Sequence, residues 1–128
     1  MPARADIDRA TGADGIDKMM AEHNVVALVA PSGPLAPRID PVNGDVWPAW
    51  SGAGYLAAVA GYPHLTVPMG TVHGVPIGLS IMAGKNDDAT VLSLGYAYEQ
   101  RTKLRSEPQF LPTAEARPEI AAAMTREQ

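Results

Sequence analysis

Between Tyr55 and Thr102, glycines and prolines cut the chain into short pieces, and each piece leaves little choice of structure. Tyr55 to Ala60 is Ala-rich, a helical composition, and is closed by Gly61 and Pro63, residues that end helices. Leu65 to Val67 reads as a short strand stopped by Pro68. Val75 and Pro76 lie in a turn before Ile77 to Ala83, which reads as a second buried strand. Gly84-Lys85-Asn86 is a turn, and Asp87 or Asp88 opens a helix running to about Thr102. Val91, Leu92, Leu94 and Tyr98 give that helix an apolar stripe, and Arg101 and Lys103 suit the negative end of its dipole.

Upstream, Asp14 is placed to cap a short helix in which Ile16, Met19 and Met20 share one face. Val25 to Ala30 is a continuous apolar run ended by Pro31. It is short for a helix, and its valines suit a strand covered on both faces, as in a parallel or mixed sheet. Pro31 to Trp50 carries five prolines and the turn formers Asn43-Gly44-Asp45. A loop this long is uncommon inside a compact domain unless it is functional or packs on something else. Residues 1–13 are polar and weakly patterned and read as a flexible N-terminus. Residues 114–128 read as a tail with some helical character. The body between them, 14–113, is expected to be α/β: a partial mixed sheet with flanking helices.

Composition narrows the function. The chain has 128 residues, enough for one core, and at 46% hydrophobic and 19% charged it is globular in type. A net charge of −4 without a basic cluster argues against a nucleic-acid surface. The absence of cysteine excludes disulfides, thiol catalysis and cysteine-ligated zinc. No apolar run approaches the ~20 residues that span a bilayer, and the N-terminus lacks the apolar core of a secretory signal. The expected address is cytoplasmic, with no membrane and no nucleic acid as partner.

The stretch SGAGYLAAVAGYPHLTVPMGTVHGVPIGLSIMAGKNDDATVLSLGYAYEQ, from Ser51, resembles the closing section of an amidase-signature hydrolase. The resemblance extends upstream to DGIDKMMAEHNVVALVAPS and downstream to EQRTKLRSEPQFLPT, from about Gly12 to Thr113. It implies the C-terminal part of the amidase-signature fold. Enzymes of this family cleave amide bonds with a Ser–Ser–Lys triad, whose serines lie in a Gly/Ser-rich signature with the lysine earlier still. This sequence has no Ser-Ser pair and no such run, so no catalytic residue can be carried onto it.

Histidines 23, 64 and 73 make no metal-binding spacing; the structural reading is surface or hydrogen-bonded histidine, and no metal is expected. The glycines at 61, 70, 74 and 78 match neither GxGxxG nor a P-loop, so no nucleotide or other cofactor is expected. Ser32, Ser51, Ser80 and Ser93 are the serine nucleophile candidates considered; none lies in GxSxG or pairs with a lysine at SxxK spacing. Ser80 and Ser93 read as hydrogen-bonded serines. Ser51 either caps the Ala-rich helix or lines the substrate cleft of the complete enzyme, as the resemblance implies. Arg38, Asp40 and Asp45 either hold a polar substrate group or form Asx-type turns. Trp47, Trp50 and Tyr55 either line an apolar pocket or cap the core. The cleft candidates are therefore Ser51, Asp45, Trp50 and Tyr55.

Three readings follow: an amidase-type C-terminal portion that is inactive alone, a non-catalytic scaffold, or one chain of a split amidase completed by a partner carrying the triad. A small amide substrate is expected only in a complete enzyme. Cutting such a fold leaves a sheet edge and apolar surface unpartnered, so self-association or a partner chain is expected.

Overall fold

The computed structural model describes residues 2–37, 40, 42–44, 52–108, 110 and 118. Helix α1 spans Pro2–Thr11, passes through a π-helical turn at Gly12–Asp17, and continues as α2, Lys18–His23. Asp14 therefore opens no helix. It sits inside the π turn, where its carboxylate lies 3.5 Å from Arg9 Nε. Residues 2–11, read from sequence as weakly patterned, are helical, with an i,i+4 pair between Arg4 and Asp8. The glycines accommodate the wider π turn: a Cβ at Gly15 would stand 2.8 Å from the Ala10 carbonyl oxygen. Asn24, at φ 50°, ends α2 in the left-handed conformation, and Val25 N–H donates to Met20 O at 3.0 Å.

Strand β1 (Leu28–Pro31) starts three residues later than the apolar run. Helix α3 spans Gly54–Ala60 and ends at Gly61 in the left-handed region, with Tyr62 N–H closing on Ala57 O at 2.9 Å. Strand β2 is His64–Val72 and β3 is Val75–Met82; helix α4 is Asp88–Thr102. The sheet order is β1-β3-β2, and both pairings are antiparallel. His73 and Gly74 link β2 to β3 with φ of 51° and 79°, the paired positive values of a type I′ hairpin.

Proline misplaced one end of each of two strands in the sequence reading: β2 does not stop at Pro68, and β3 begins before Ile77. Pro68 lies inside β2 beside a bulge that leaves Met69 unpaired before Gly70 resumes opposite Ile77. On an edge strand at a bulge, a missing N–H is tolerated. Pro76 pairs with Thr71 in a part of β3 that β1 does not reach, since β1 ends opposite Leu79.

The sheet separates two cores. Val67, Ile81, Ala83 and Val91 join on the α4 side, with Leu65, Leu79 and Tyr98 against them. Ile16, Ala57 and Met82 join on the other, with Met20, Leu28 and Tyr62. Helix α4 meets the sheet through Val91 and Gly95, while Leu92, Leu94 and Tyr96 face outward. Leu92 and Leu94 are thus not part of the buried stripe. Strand β1 is covered on one face alone: Val29 is 63% exposed, so the two-sided burial expected of the Val25–Ala30 run does not hold for this chain. Of the tail 114–128, Pro118 is the one described residue.

Candidate functional site

On the sheet face that carries Met82 and Leu28, strand alternation places Ser32, Ser80, Thr66 and His64 in successive positions. Thr66 and Ala30 both stand opposite Ser80, and His64 stands opposite Met82. The apolar half of this face lies under Ile16 and Ala57. The other half is polar and bonds to itself.

Ser80 is fully buried. His64 Nε2 lies 2.7 Å from Ser80 Oγ, and Ser80 Oγ donates to Ser32 Oγ at 3.0 Å. Ser32 Oγ then donates to Thr66 Oγ1 at 3.4 Å, the longest link of the chain. With the serines so oriented, Nε2–H is the donor to Ser80. Hydroxyl protons rotate, so the same heavy-atom positions also allow the reverse order, from Ser32 through Ser80 to an unprotonated Nε2. Only Ser80 is buried; Ser32 is half-buried, and His64 and Thr66 reach solvent at the two ends of the network.

Three glycines let the backbone close around it. A Cβ at Gly54 would lie 2.5 Å from His64 Cε1, so the absence of a side chain lets α3 rest on the imidazole. A Cβ at Gly78 would come within 2.8 Å of Ser32 Oγ. Gly52, at φ 103°, packs against the Ser32 carbonyl, which also accepts Ala53 N–H at 3.3 Å. Ser32 N–H in turn donates to Gly78 O at 2.7 Å. Beside Thr66 and Gly78 opens a depression of ≈ 320 Å³, completed by Val67, Pro68, Pro76 and Ile77.

The residues singled out from sequence fall elsewhere. Ser51, Asp45 and Trp50 lie outside the described residues, as do Arg38 and Trp47. Tyr55 stands on α3, 61% exposed, and does not cap the core. Asp40 organises a turn: its Oδ1 accepts Val42 N–H and Asn43 N–H, both at 2.9 Å, and its Oδ2 accepts Asn43 Nδ2 at 3.0 Å. The Asn43 amide, then its side chain, then Val42 hold the Asp40 carboxyl below its ordinary value. The Asx geometry expected around Asn43 is therefore centred on Asp40. Among the described residues no three His, Asp or Glu side chains converge as a metal site, and no helix is long and apolar enough to cross a membrane. Sequence reasoning considered Ser32, Ser80 and His64 one at a time. Separations of 48 and 16 residues match no catalytic spacing, and strand register alone brings them together.

No family model matches the chain. It is similar to a glutamyl-tRNA(Gln) amidotransferase subunit of Clostridium acetobutylicum, 39% identical over 80 residues, covering 60% of this chain and 16% of that protein. It is also similar to an uncharacterised protein of the nthA 5′ region of Rhodococcus erythropolis, 52% identical over 42 residues, 33% of this chain and 21% of that one. Among solved structures, PAM12A superposes with a TM-score of 0.78 at 44% identity, over 86% of this chain and 22% of its own. The native peptide amidase of Stenotrophomonas maltophilia gives 0.71 at 42%, over 85% and 21%. The chain spans about a fifth of the length of these relatives.

Proposed function

We propose that this chain is a C-terminal portion of the amidase-signature fold, and that it supplies part of the scaffold and one border of the substrate cleft of an amidase-type serine hydrolase; its similarity to part of amidase-family proteins supports this. The reaction of the complete enzyme is hydrolysis of an amide C–N bond, by acyl transfer to a serine and then to water. The Ser–Ser–Lys groups that would perform it are not in this sequence. The isolated chain is accordingly expected to be inactive on amides, the triad belonging to the part of the enzyme outside this sequence.

One observation carries this reading: 44% identity and a TM-score of 0.78 to PAM12A over 86% of this chain, against 22% of that one. Within the completed cleft, Ser51, Asp45, Trp50 and Tyr55 are proposed to face the substrate. Tyr55 is already exposed on α3, with its ring available to a neighbour.

The test mixes the purified chain with the part of Stenotrophomonas maltophilia peptide amidase that the superposition leaves unmatched, and follows ammonia release from a panel of primary amides. Activity is expected from the mixture and from neither piece alone. Hydrolysis by the chain alone, surviving repurification, refutes the assignment of the chemistry to groups outside this sequence. Silence of the mixture, with binding demonstrated, favours the non-catalytic scaffold.

A further inference from the structure

From the order Ser32–Ser80–His64 we propose that Ser32 is an acyl-accepting nucleophile in its own right, specific for activated esters, and separate from the missing Ser–Ser–Lys centre. The geometry has the three parts that serine activation needs. Ser32 is half-buried at the end of β1, where it remains open to solvent. Fully buried Ser80 bridges it to an imidazole, with links of 3.0 and 2.7 Å. Both are within the hydrogen-bond reach that general-base catalysis requires. The ≈ 320 Å³ depression lined by Thr66, Val67, Pro68, Pro76, Ile77 and Gly78 offers a place for a small apolar acyl or aryl group, and Ser32 Oγ reaches its edge through the 3.4 Å bond to Thr66 Oγ1.

The step balances with these groups alone. Ser32 Oγ attacks the ester carbonyl, and a C–O bond forms. The Ser32 proton moves to Ser80 Oγ as the Ser80 proton moves to His64 Nε2. The tetrahedral adduct collapses, the bond to the leaving aryloxide breaks, and the aryloxide departs as a stable anion. Ser32 is left as an ester, and the imidazolium returns its proton to water.

The same geometry disfavours ordinary amides. An aryloxide leaves unaided, whereas an amine is so poor a leaving group that an adduct without oxyanion donors reverts before it departs. Ser32 N–H is committed to Gly78 O at 2.7 Å, and no carboxylate among the described residues bonds His64 to orient it. This site and the inactivity of the chain on amides are therefore compatible.

The experiment treats the full chain with 4-nitrophenyl acetate, follows nitrophenolate release, and maps acetylated residues by peptide mass spectrometry after acid quench. Acetylation is expected at Ser32, lost in Ser32→Ala and retained in Ser93→Ala. His64→Gln separates a base from a structural donor, because glutamine keeps an N–H for Ser80 but removes no proton. A drop of about a hundredfold in the Ser32 acylation rate is expected in His64→Gln, the scale of a lost general base. The wild-type rate should rise with pH and level off once the imidazole is unprotonated. No label at Ser32, a wild-type rate in His64→Gln, or a rate that follows hydroxide without a plateau each overturns the proposal. If the His64 variant fails to fold, the wild-type labelling site and pH profile decide alone.

Discussion

Tyr62 Oη donates a 2.6 Å hydrogen bond to Asp17 Oδ2, joining the residue just past the α3 cap to the end of the π turn. The ring packs against Ile16, Ala57 and Met82, so the bond pins two helical segments to one end of the sheet. Gly12 makes room for it, since a Cβ there would lie 2.9 Å from Tyr62 Oη. The bond to Asp17, then burial, then the Asp17 charge push the phenol up to about 12.

Replacing Tyr62 with Phe removes that bond and should lower stability by about 1–2 kcal/mol near neutral pH, toward the lower end for a charged acceptor because water reaches Asp17. The pH dependence has a fixed sign. The folded-state value lies above the ordinary 10.0, so the contribution is fully present below about 10 and is lost as pH rises toward about 12. Urea midpoints for both proteins from pH 8 to 12 should show a constant gap that closes over the last two units. A gap that persists unchanged at pH 12 would contradict the assigned role of this bond.

Gly52 is the second backbone dependence. Its φ of 103° lies where side chains are rarely found, and a Cβ would run into the Ser32 carbonyl, a backbone atom that cannot rotate away. Gly52→Ala should destabilise by roughly 1–3 kcal/mol from strain. It should also disturb Ser32, so thermal unfolding and Ser32 acetylation are read on the same sample. A midpoint equal to wild type would show that the backbone relaxes around the new methyl.

The core separates what the sequence told from what it hid. Ile81 is 3% exposed, and Ile81→Ala should cost about 2–5 kcal/mol. Leu92 looks equally apolar in the sequence, yet it is 60% exposed on the outer side of α4, and Leu92→Ala should stay within about 0.5 kcal/mol. Chemical denaturation of both variants checks the contrast. Equal losses would mean that Leu92 is buried by something absent from the single chain.

Helix α4, the glycine end of α3 and the central run of β3 were legible because each is a local signal: spacing, cap or a mainly apolar run bounded by turn residues. The wrong strand ends at Pro68 and Pro76 came from reading proline without knowing which strand lies at an edge. Edge position is a property of the assembled sheet. The same holds for His64, Ser80 and Ser32, whose meeting requires the register Thr66 opposite Ser80 opposite Ala30. The family resemblance was legible because AGYPHLTVPMG and GVPIGLS are continuous stretches that together span the β2–β3 hairpin, where Gly61, Gly70 and Gly74 take positive φ.

The last prediction concerns the uncovered apolar surface. Val29 on β1 and Leu92 and Tyr96 on α4 are each more than half exposed, and the outer edge of β1 has no strand beside it among the described residues. Exposed apolar area disfavours a free monomer by about 25 cal/mol per Å² that a partner could bury. A second copy is always present at the concentration of the chain itself, and two-fold pairing is the commonest solution. We therefore expect reversible self-association, seen by light scattering as a mass that falls on dilution. Val29→Lys adds a charge at a residue already in solvent, so it should leave the fold intact while shifting the equilibrium toward monomer. The part of the peptide amidase that the superposition leaves unmatched should compete with the second copy and dissolve the dimer when added. A monodisperse monomer at high concentration, with little binding of a hydrophobic dye, would show that other parts of the chain already cover these residues.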